Sequence, residues 1–300
     1  MAPDVSICVA TCRRPAGLAR LLASLRALEQ PAGLDLEVVV VDNDPARSAA
    51  AVLAEAGGVP GLRALWEPRR NIARARNRTV EAARGRWLAF VDDDEVVEPG
   101  WLAAYWEHAC RDDADGWFGP VLPSLEPGGS HWLPESFYAR PRYATGTPLG
   151  VAQLSTSNAW LRASLFEWRR FDPELGLRGG SDTDLFGRML REGARFRWCD
   201  EARVSESIPA ARHRLAWLAQ RAFRGGFVHT RLEQREVGRA RAAWRGLPRA
   251  VAALGATALA LPVAALGGRA PAARVWLRGC TQVGHLWAFL EGDYEEYGSA

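Results

Sequence analysis

Three consecutive carboxylates, Asp92, Asp93 and Asp94, are the residues whose types and spacing most clearly point to chemistry. They follow the apolar run 87–91, which predicts a short buried strand with the acids at its carboxyl end. Three acids at such a place repel one another and lose hydration unless a cation lies among them. Oxygen ligands of this kind suit Mg²⁺ or Mn²⁺, which usually bridge to substrate phosphates. The alternative is an acidic turn that water solvates and that has no function.

Further apolar runs precede the triple Asp. The runs 5–10, 36–41 and 62–66 predict strands, and the Leu residues of 18–28 fall on one face of a helix between the first two. The resulting order β-α-β-α-β-α-β implies right-handed crossovers and a mostly parallel sheet flanked by helices. We therefore expect an α/β, Rossmann-like fold whose ligand crevice lies at the carboxyl ends of the strands.

One rim of this sheet would gather the polar segments 11–14, 42–44, 69–71 and 92–94. Asp42 follows buried apolar positions, where a carboxylate needs a partner, and a nucleobase N–H could be one. The alternative is that these loops are polar only because loops are solvated. The sequence lacks a G-x-G-x-x-G after the first strand and a G-x-x-x-x-G-K-[ST], which counts against a dinucleotide-binding domain and a P-loop.

The composition is that of a folded protein, with 48% hydrophobic and 24% charged residues in a chain of 300. A net charge of +3 is too small to indicate nucleic acid as a partner. All 38 basic residues are Arg, whose planar fork suits phosphates and carboxylates. The five Cys are scattered without metal spacing, and the first ten residues lack a signal-peptide pattern, so we expect a reducing, cytoplasmic location.

Four segments together resemble the nucleotide-sugar half of the family 2 glycosyltransferases of the GT-A fold. In chain order they read VSICVATCRRP, VVVVDND, EPRRNIARARN and WLAFVDDDE. The sequence is most similar to the bacterial branch that includes the succinoglycan-biosynthesis glucosyltransferase, and the likeness extends to about residue 226. The resemblance implies a donor-binding half at 1–118, an acceptor half at 119–226 and a helical tail at 227–300.

The resemblance also implies roles for residues at the donor site. The donor-binding residues would be Thr11, Asp42, Arg76, Asp92 and Asp93. Thr11 and Asp42 would contact the nucleoside, and Arg76 would approach the nucleotide. Asp92 and Asp94 match the D-x-D motif of the family, with Asp94 as a direct ligand of Mg²⁺ or Mn²⁺ and Asp92 as a ribose or metal contact. Of the other Arg residues of 69–78, Arg70 is a second candidate for a ligand contact, and the rest are expected on a solvated helix face.

In the acceptor half, the segment 179–185 resembles the family motif Gly-Gly-Glu-Asp-x-Asp-Leu. Its first Asp, here Asp182, would be the general base for the acceptor hydroxyl. Ser181 replaces the usual Glu, and that Glu could help to raise the pKa of the base. Alternatively, Ser181 and Asp184 form a capping box, and Asp182 is an anion stabilised by a helix N-terminus.

Four more residues are predicted as possible contacts to the diphosphate or the acceptor. Asn158 lies in a predicted strand at 152–160 that is near the donor sugar in the family. Glu206 follows a short predicted strand where many relatives have a metal-binding His, although it could also simply pair with an Arg. Arg221 and Arg224 lie three apart on one helix face, where they would neutralise the diphosphate, bind a membrane or remain solvated.

The tail contains an uncharged stretch at 250–268, bounded by Arg249 and Arg269 and long enough to qualify as a membrane span. It consists mostly of Ala and Gly with a Pro inside, so its drive into a bilayer is marginal. We expect a helical hairpin, continued by 272–290, that lies on or dips into an anionic membrane surface. The alternative is a pair of soluble Ala-rich helices packed on the domain.

These observations predict metal-dependent, inverting transfer of a sugar from a nucleotide diphosphate sugar, with a UDP-sugar preferred. The expected acceptor is a saccharide in bacterial polysaccharide biosynthesis at the inner face of the cell membrane. The resemblance implies that this saccharide is lipid-linked. No nucleic acid is expected as a partner. One alternative is a protein of the same fold that binds nucleotide sugars or serves in assembly without catalysis. A weaker alternative is a nucleotidyltransferase.

Overall fold

The computed structural model describes residues 3–111 and 113–290. Within them the chain forms two compact units, which are described separately. The first comprises Met1–Pro123, Ala139–Leu177 and Ser181–Ser207, and the second comprises Ser124–Tyr138, Arg178–Gly180 and Ile208–Ala300. These units are defined by the density of contacts within them. The predicted boundaries at 118 and 226 separate a donor half, an acceptor half and a tail, and they stay a prediction.

Most strands and five helices lie in the first unit. The strands are β1 (Val5–Thr11), β2 (Leu36–Asp42), β3 (Arg63–Trp66), β4 (Trp87–Val91), β5 (Glu95–Val97), β6 (Gly116–Phe118), β7 (Val121–Leu125), β8 (Asn158–Arg162), β9 (Phe196–Trp198) and β10 (Val204–Ile208). β7 and β10 end in the second unit. The helices are α1 (Pro15–Arg26), α2 (Ala50–Ala54), α3 (Ile72–Ala82), α4 (Trp101–Arg111) and α5 (Ser181–Arg191).

A seven-stranded sheet forms the centre of the first unit, with the order β3-β2-β1-β4-β8-β6-β9. The first four of these strands pair in parallel, which confirms the predicted β-α-β-α-β-α-β arrangement. β8 runs antiparallel to both β4 and β6. A smaller sheet orders β5-β10-β7. Since β1, β2 and β4 are buried along their whole length or nearly so, the parallel part of the sheet is covered on both faces.

Three predicted elements have different limits in the structure. The predicted strand at 152–160 begins only at Asn158, because Ser155 and Ser157 bond to each other through their hydroxyl groups in a local turn. Glu206 lies within β10, not after a strand. The Gly pair at 225–226 predicts the end of a helix that begins near residue 212, but α6 continues through this pair to Val237.

Three helices dominate the second unit: α6 (Leu215–Val237), α7 (Arg239–Leu266) and α8 (Arg269–Trp287). α6 continues through its Gly pair because Gly226 packs against α8. A Cβ atom at Gly226 would lie 2.1 Å from the carbonyl oxygen of Thr281, and one at Gly284 would lie 2.0 Å from that of Phe223. The two glycines therefore allow the backbones of α6 and α8 to approach closely.

α7 is the one helix of the described residues that is long and apolar enough to cross a membrane, and almost none of it is buried. Its large apolar side chains point away from the rest of the unit; the most exposed are Trp244, Val251, Leu259, Val263 and Leu266. The predicted helical hairpin is thus present as α7 and α8. Both predictions for these helices, association with a membrane surface and packing on the domain, stay predictions.

A buried acid, Glu37, is the second residue of β2 and lies at the amino-terminal end of the parallel strands. Its Oε1 accepts hydrogen bonds from the hydroxyl of Ser6 at 2.7 Å and the backbone N–H of Arg84 at 2.8 Å. Its Oε2 accepts from the guanidinium groups of Arg84 at 2.8 and 3.0 Å and Arg63 at 2.9 Å. Burial alone would raise the pKa of Glu37, but these bonds outweigh it and lower the pKa to about 2.

We expect Glu37→Gln to destabilise the protein by about 2 kcal/mol at neutral pH, because the amide cannot accept all of these bonds and lacks the charge. A carboxyl whose pKa is lowered on folding stabilises the protein above its unfolded pKa, ordinarily 4.5, and loses that contribution as the pH falls toward about 2. The difference in the free energy of unfolding between wild type and variant, measured by urea denaturation, should therefore shrink over this pH range. Glu55→Gln, at an exposed site, is the matched control and should change the free energy of unfolding by less than about 0.5 kcal/mol. A difference that stays constant down to pH 2 would contradict this account.

Candidate active site

The carboxyl ends of β1, β2 and β4 meet at one rim of the sheet. Thr11 is paired in register with Asp42 at the ends of β1 and β2. β4 lies on the other side of β1 and ends at Val91, just before the triple Asp. The hydroxyl of Thr11 donates a hydrogen bond to Asp93 Oδ2 at 2.7 Å. The rim therefore brings together three segments that are far apart in the sequence.

Two acids of the triple Asp are held by one guanidinium group, that of Arg14. Its Nη1 donates to Oδ1 of Asp93 at 3.0 Å and to Oδ2 of Asp94 at 2.7 Å. Burial nevertheless raises the pKa of Asp94 to about 6, against the opposing charge of Arg14 and with the help of neighbouring acids. Burial also raises the pKa of Asp93. For both carboxylates, the effect of burial thus outweighs that of the Arg14 charge.

Asp92 is oriented by contacts from three directions. Its Oδ2 accepts a hydrogen bond from the hydroxyl of Ser157 at 3.0 Å, and its Oδ1 lies 3.5 Å from Nη2 of Arg76. Its backbone N–H donates to Oε2 of Glu95 at 2.8 Å. The structure therefore brings Arg76, predicted to approach the nucleotide, into contact with the first acid of the D-x-D motif.

A second cluster of charge borders this motif. Glu95 is 1% exposed, and burial raises its pKa well above the ordinary value. It lies directly opposite Glu206 in the antiparallel pair of β5 and β10, and Glu206 forms an ion pair with Arg140 at 2.9 Å. The backbone N–H of Ser207 donates to the carbonyl oxygen of Asp94 at 3.1 Å, which keeps β10 beside the triple Asp. Glu206 thus lies near the D-x-D motif and pairs with an Arg, as one of the two predictions for it stated.

Asp42 shapes the loop that follows β2. It is 3% exposed, and its two carboxylate oxygens accept the backbone N–H groups of Asp44 at 3.0 Å and Ala49 at 2.9 Å. Each carboxylate oxygen keeps a further lone pair, so these bonds are compatible with a nucleobase donor. The predicted contact of Asp42 with the nucleoside stays a prediction.

The loops after β2 and β3 are tied together by Asn43. Its Nδ2 donates to the carbonyl oxygens of Glu67 at 2.9 Å and Arg69 at 2.8 Å, and its Oδ1 accepts the backbone N–H of Asn71 at 2.8 Å. Asn71 in turn caps α3 by accepting the backbone N–H of Arg74. The position of α3, and with it the rim-facing Arg76, therefore depends on this side-chain network.

Asp182 lies in the first turn of α5, after a Gly pair at 179–180 with φ angles of 86° and 87°. Its Oδ1 accepts the backbone N–H of Thr183 at 2.9 Å. Asp184 forms an ion pair with Arg188 one turn later, at 3.0 Å. Asp184 is thus bound along the helix, whereas Asp182 stands at its start. The predicted role of Asp182 as the general base stays a prediction.

Four hydrogen bonds within the protein hold the side-chain amide of Asn158, whose predicted contact with the diphosphate or the acceptor stays a prediction. Its Oδ1 accepts from the indole N–H of Trp101 at 2.9 Å and the hydroxyl of Tyr105 at 2.8 Å. Its Nδ2 donates to the carbonyl oxygens of Pro120 at 3.0 Å and Ala202 at 2.7 Å. These four bonds saturate a primary amide, which has two donors and two acceptor lone pairs. Asn158 thereby fixes the start of β8, next to the Ser hydroxyl that contacts the D-x-D motif.

Arg221 and Arg224 belong to α6, in the second unit. The guanidinium group of Arg221 lies 5.3 Å from the centre of the Trp217 ring. Their predicted contact with the diphosphate or with a membrane stays a prediction.

Sequence reasoning missed three charged residues of the rim: Arg14, Glu95 and Arg140. A signal existed for two of them, because Arg14 follows β1 on the predicted rim and Glu95 directly follows the triple Asp. Arg140 comes from the irregular segment 120–150, whose sequence has no periodic pattern that would place a side chain. Its contact with Glu206 spans 66 positions and arises only from the tertiary fold.

The residues present fit a hard divalent cation, since Asp92, Asp94 and the nearby Glu206 offer carboxylate oxygens in a buried acidic setting. Among the residues that the structure describes, three ligand atoms within 4.8 Å of one another occur elsewhere, at His108, Cys199 and Glu201. The rim acids are not gathered to that extent. Asp94, one of the acids that would hold the cation, accepts a hydrogen bond from Arg14 at its Oδ2.

Known proteins resemble the chain in sequence. The model of the family described as Glycosyl transferase family 2 matches residues 6–168. The succinoglycan biosynthesis protein ExoM of Rhizobium meliloti is 37% identical over 253 residues, which cover 80% of this chain and 78% of that protein. A pre-mycofactocin glycosyltransferase of Mycobacterium tuberculosis is 28% identical over 236 residues, 74% of this chain and 46% of the relative.

Solved structures show the same fold. The mannosyltransferase PcManGT from Pyrobaculum calidifontis, in complex with GDP-Man and Mn²⁺, has a TM-score of 0.65 at 19% identity and covers 97% of this chain and 88% of its own. TarS of S. aureus, in complex with UDP-GlcNAc, has a TM-score of 0.56 at 17% identity and covers 74% of this chain and 66% of its own. These likenesses confirm the GT-A fold. With the family match and the ExoM relative, they lead to the conclusion that the chain belongs to glycosyl transferase family 2 and is a glycosyltransferase.

Proposed function

We propose that the chain transfers a sugar from a nucleotide diphosphate sugar, with a UDP-sugar preferred, to a saccharide acceptor and inverts the anomeric centre. The observation that carries this proposal is the rim of the sheet, where Asp92, Asp93 and Asp94 follow β4 and the hydroxyl of Thr11 at the end of β1 bonds to Asp93. Such a site favours a ligand that brings a cation. A mannosyltransferase of the same fold was solved with GDP-Man and Mn²⁺, which agrees with this reasoning.

Asp94 and Asp92 would hold Mg²⁺ or Mn²⁺, which would neutralise the diphosphate and stabilise the charge that develops as it leaves. Around this position, the hydroxyl of Thr11 keeps Asp93 in place through its 2.7 Å bond. Asp42 is proposed to accept a base N–H. Arg76 would neutralise part of the nucleotide charge from the side of Asp92.

Asp182 is proposed as the general base. It would accept the proton of the acceptor hydroxyl while that oxygen attacks the anomeric carbon on the face opposite the leaving diphosphate. The oxygen–carbon bond then forms as the bond from the anomeric carbon to the diphosphate oxygen breaks, and the electron pair leaves with the diphosphate. Holding donor and acceptor in line removes much of the entropic barrier of this reaction.

The acceptor is proposed to be lipid-linked and the protein to bind the cytoplasmic face of the cell membrane. The relative ExoM is named for succinoglycan biosynthesis, a polysaccharide pathway. Residues 237–290 contain seven Arg and no Asp or Glu. In α7 and α8 all of these Arg side chains are exposed; they are Arg239, Arg241, Arg245, Arg249, Arg269, Arg274 and Arg278. Exposed apolar side chains next to cations suit an anionic lipid surface.

One observation favours a second candidate, a protein of this fold that binds nucleotide sugars without transferring them. Ser181 stands where the family usually has Glu, and it is only 2% exposed. The site thus lacks a carboxylate beside the proposed base, which lies in the first turn of α5. Variants of Asp94 and Asp182 distinguish this candidate from the enzyme.

We expect Asp94→Asn to weaken donor binding at least about tenfold in the presence of Mn²⁺, because the variant loses a charged metal ligand. A thermal-shift screen of nucleotide sugars with and without Mn²⁺ identifies the donor, and calorimetry then measures its affinity. Asp113→Asn replaces an exposed acid that pairs with Arg195 and should bind the donor as the wild type does. No stabilisation of the wild type by any nucleotide sugar would refute both candidate functions.

We expect Asp182→Asn to keep the donor affinity and to lose about 10²- to 10⁴-fold in transfer, because an amide cannot take the acceptor proton. The measurement is the release of free nucleotide diphosphate from the donor found in the screen, with a membrane extract as the source of acceptor. Asp184→Asn, in the same helical turn, is the control and should transfer with little change. Transfer by Asp182→Asn at the wild-type rate would rule out this base, and its absence in the wild type would favour the second candidate.

We expect the protein to sediment with vesicles that contain phosphatidylglycerol and much less with vesicles of phosphatidylcholine alone. The double variant Leu259→Glu and Leu266→Glu should lower the partition into anionic vesicles about tenfold or more, since both side chains are over 80% exposed on α7 and the change places charge on the apolar face. Trp168→Glu is the control, because Trp168 is 71% exposed and lies in the first unit. This variant should partition into anionic vesicles as the wild type does. Equal partition of all three proteins would refute the membrane role of α7.

A further inference from the structure

The guanidinium group of Arg14 binds Asp94, one of the two acids proposed to hold the cation. Its Nη1 bonds to Asp93 and to Asp94 together, at 3.0 and 2.7 Å. A metal ion held by Asp94 would therefore share this carboxylate with the Arg14 guanidinium, and the two cations would repel each other.

The acids at this place are fixed, whereas Arg14 is free to withdraw toward solvent. The side chain of Arg14 is 39% exposed, compared with 6% for Asp93 and 17% for Asp94. The backbone of the acids is pinned by α1, because a Cβ atom at Gly17 would lie 2.7 Å from the carbonyl oxygen of Asp93. Arg14 is the residue just before α1, so its backbone is anchored at the same contact while its long side chain can change rotamer.

The other Arg residues of the rim have different partners. Arg76 contacts Asp92 at 3.5 Å, and Arg140 pairs with Glu206 at 2.9 Å. Neither distance involves Asp93 or Asp94. Asp93 and Asp94, by contrast, share Arg14 as a common partner.

We propose that Arg14 is an internal counter-cation, which binds these acids in the donor-free protein and moves to the donor diphosphate when metal and donor bind. The inference rests on the proposed use of Mg²⁺ or Mn²⁺ with a nucleotide diphosphate. An Arg that leaves Asp94 stays within reach of the phosphate oxygens that the metal brings to the rim, and its fork suits them. Arg14 is thus a positioning residue that couples the two ligands.

This coupling has opposite consequences for the two ligands. Without a donor, a metal ion at Asp94 is repelled by the Arg14 guanidinium, so its binding is weakened. With a donor, the displaced guanidinium gains the diphosphate as a new partner, so metal and donor strengthen each other. By linkage, the factor by which the nucleotide improves metal binding equals the factor by which the metal improves nucleotide binding.

The test measures Mn²⁺ binding by the electron paramagnetic resonance signal of the free ion, with and without UDP, in the full-length protein. In Arg14→Met, Mn²⁺ alone should bind about tenfold more tightly than in the wild type, because the competing guanidinium is gone. UDP in the presence of Mn²⁺ should bind about tenfold more weakly, so the coupling factor should fall. Arg14→Lys keeps the charge but lacks the planar guanidinium. Its affinities for Mn²⁺ alone and for UDP with Mn²⁺ should lie between those of the wild type and those of Arg14→Met.

Arg86→Met is the matched control, since Arg86 pairs with Asp4 and lies over Trp106, before β4 begins. It should bind Mn²⁺ and UDP as the wild type does. If Arg14→Met binds Mn²⁺ alone no more tightly than the wild type, Arg14 is not a competing cation and the inference is wrong, although the proposed function can still hold. If the wild type binds no Mn²⁺ even with UDP or GDP, both the inference and the metal-dependent function fail. Circular dichroism establishes that each variant is folded, and Arg14→Lys decides the question should Arg14→Met not fold.

Discussion

Burial of carboxylates at the two ends of one parallel sheet is the constraint on which this structure depends. The packing that buries β1, β2 and β4 also buries the acids at their ends, which then need positive charge or hydrogen-bond donors close by. At the amino-terminal end, Glu37 has these in full, and its pKa is lowered to about 2. At the carboxyl rim, burial outweighs the charge of Arg14, and the pKa of Asp94 is raised to about 6.

The residues around the rim hold its acids in place although the burial of a carboxylate is unfavourable. Asn158 locks the start of β8 with four hydrogen bonds, so the hydroxyl of Ser157 reaches Asp92 in a fixed orientation. Asn43 ties the loops after β2 and β3 and so places α3. Both amides hold groups that are proposed to bind a ligand, which is the usual requirement for a preorganised site.

The parts of the fold that were predictable from the sequence depend on local patterns. Continuous apolar runs predict β1 to β4. The parallel order of these strands places Thr11, Asp42 and the triple Asp on one rim. Glu37 was hidden because a single acid in LEVVVV does not disturb an apolar run. Arg140 and the saturated amide of Asn158 depend on contacts tens of residues apart, for which the sequence has no local signal. α6 continued through its Gly pair because α8 packs there, so tertiary contact overrode a local stop signal.

The charge of the rim also explains why donor and cation should bind together. A nucleotide diphosphate is an anion, and a rim of buried acids repels it unless a cation is present. A cation alone is repelled by Arg14 at Asp94, and the proposed exchange gains little while the guanidinium has no new partner. When both ligands arrive, the cation takes the carboxylate and the guanidinium takes the phosphate, so each charge keeps an opposite neighbour. Because Arg14 already binds Asp94, the proposed exchange favours binding of the cation and the donor together over binding of either ligand alone.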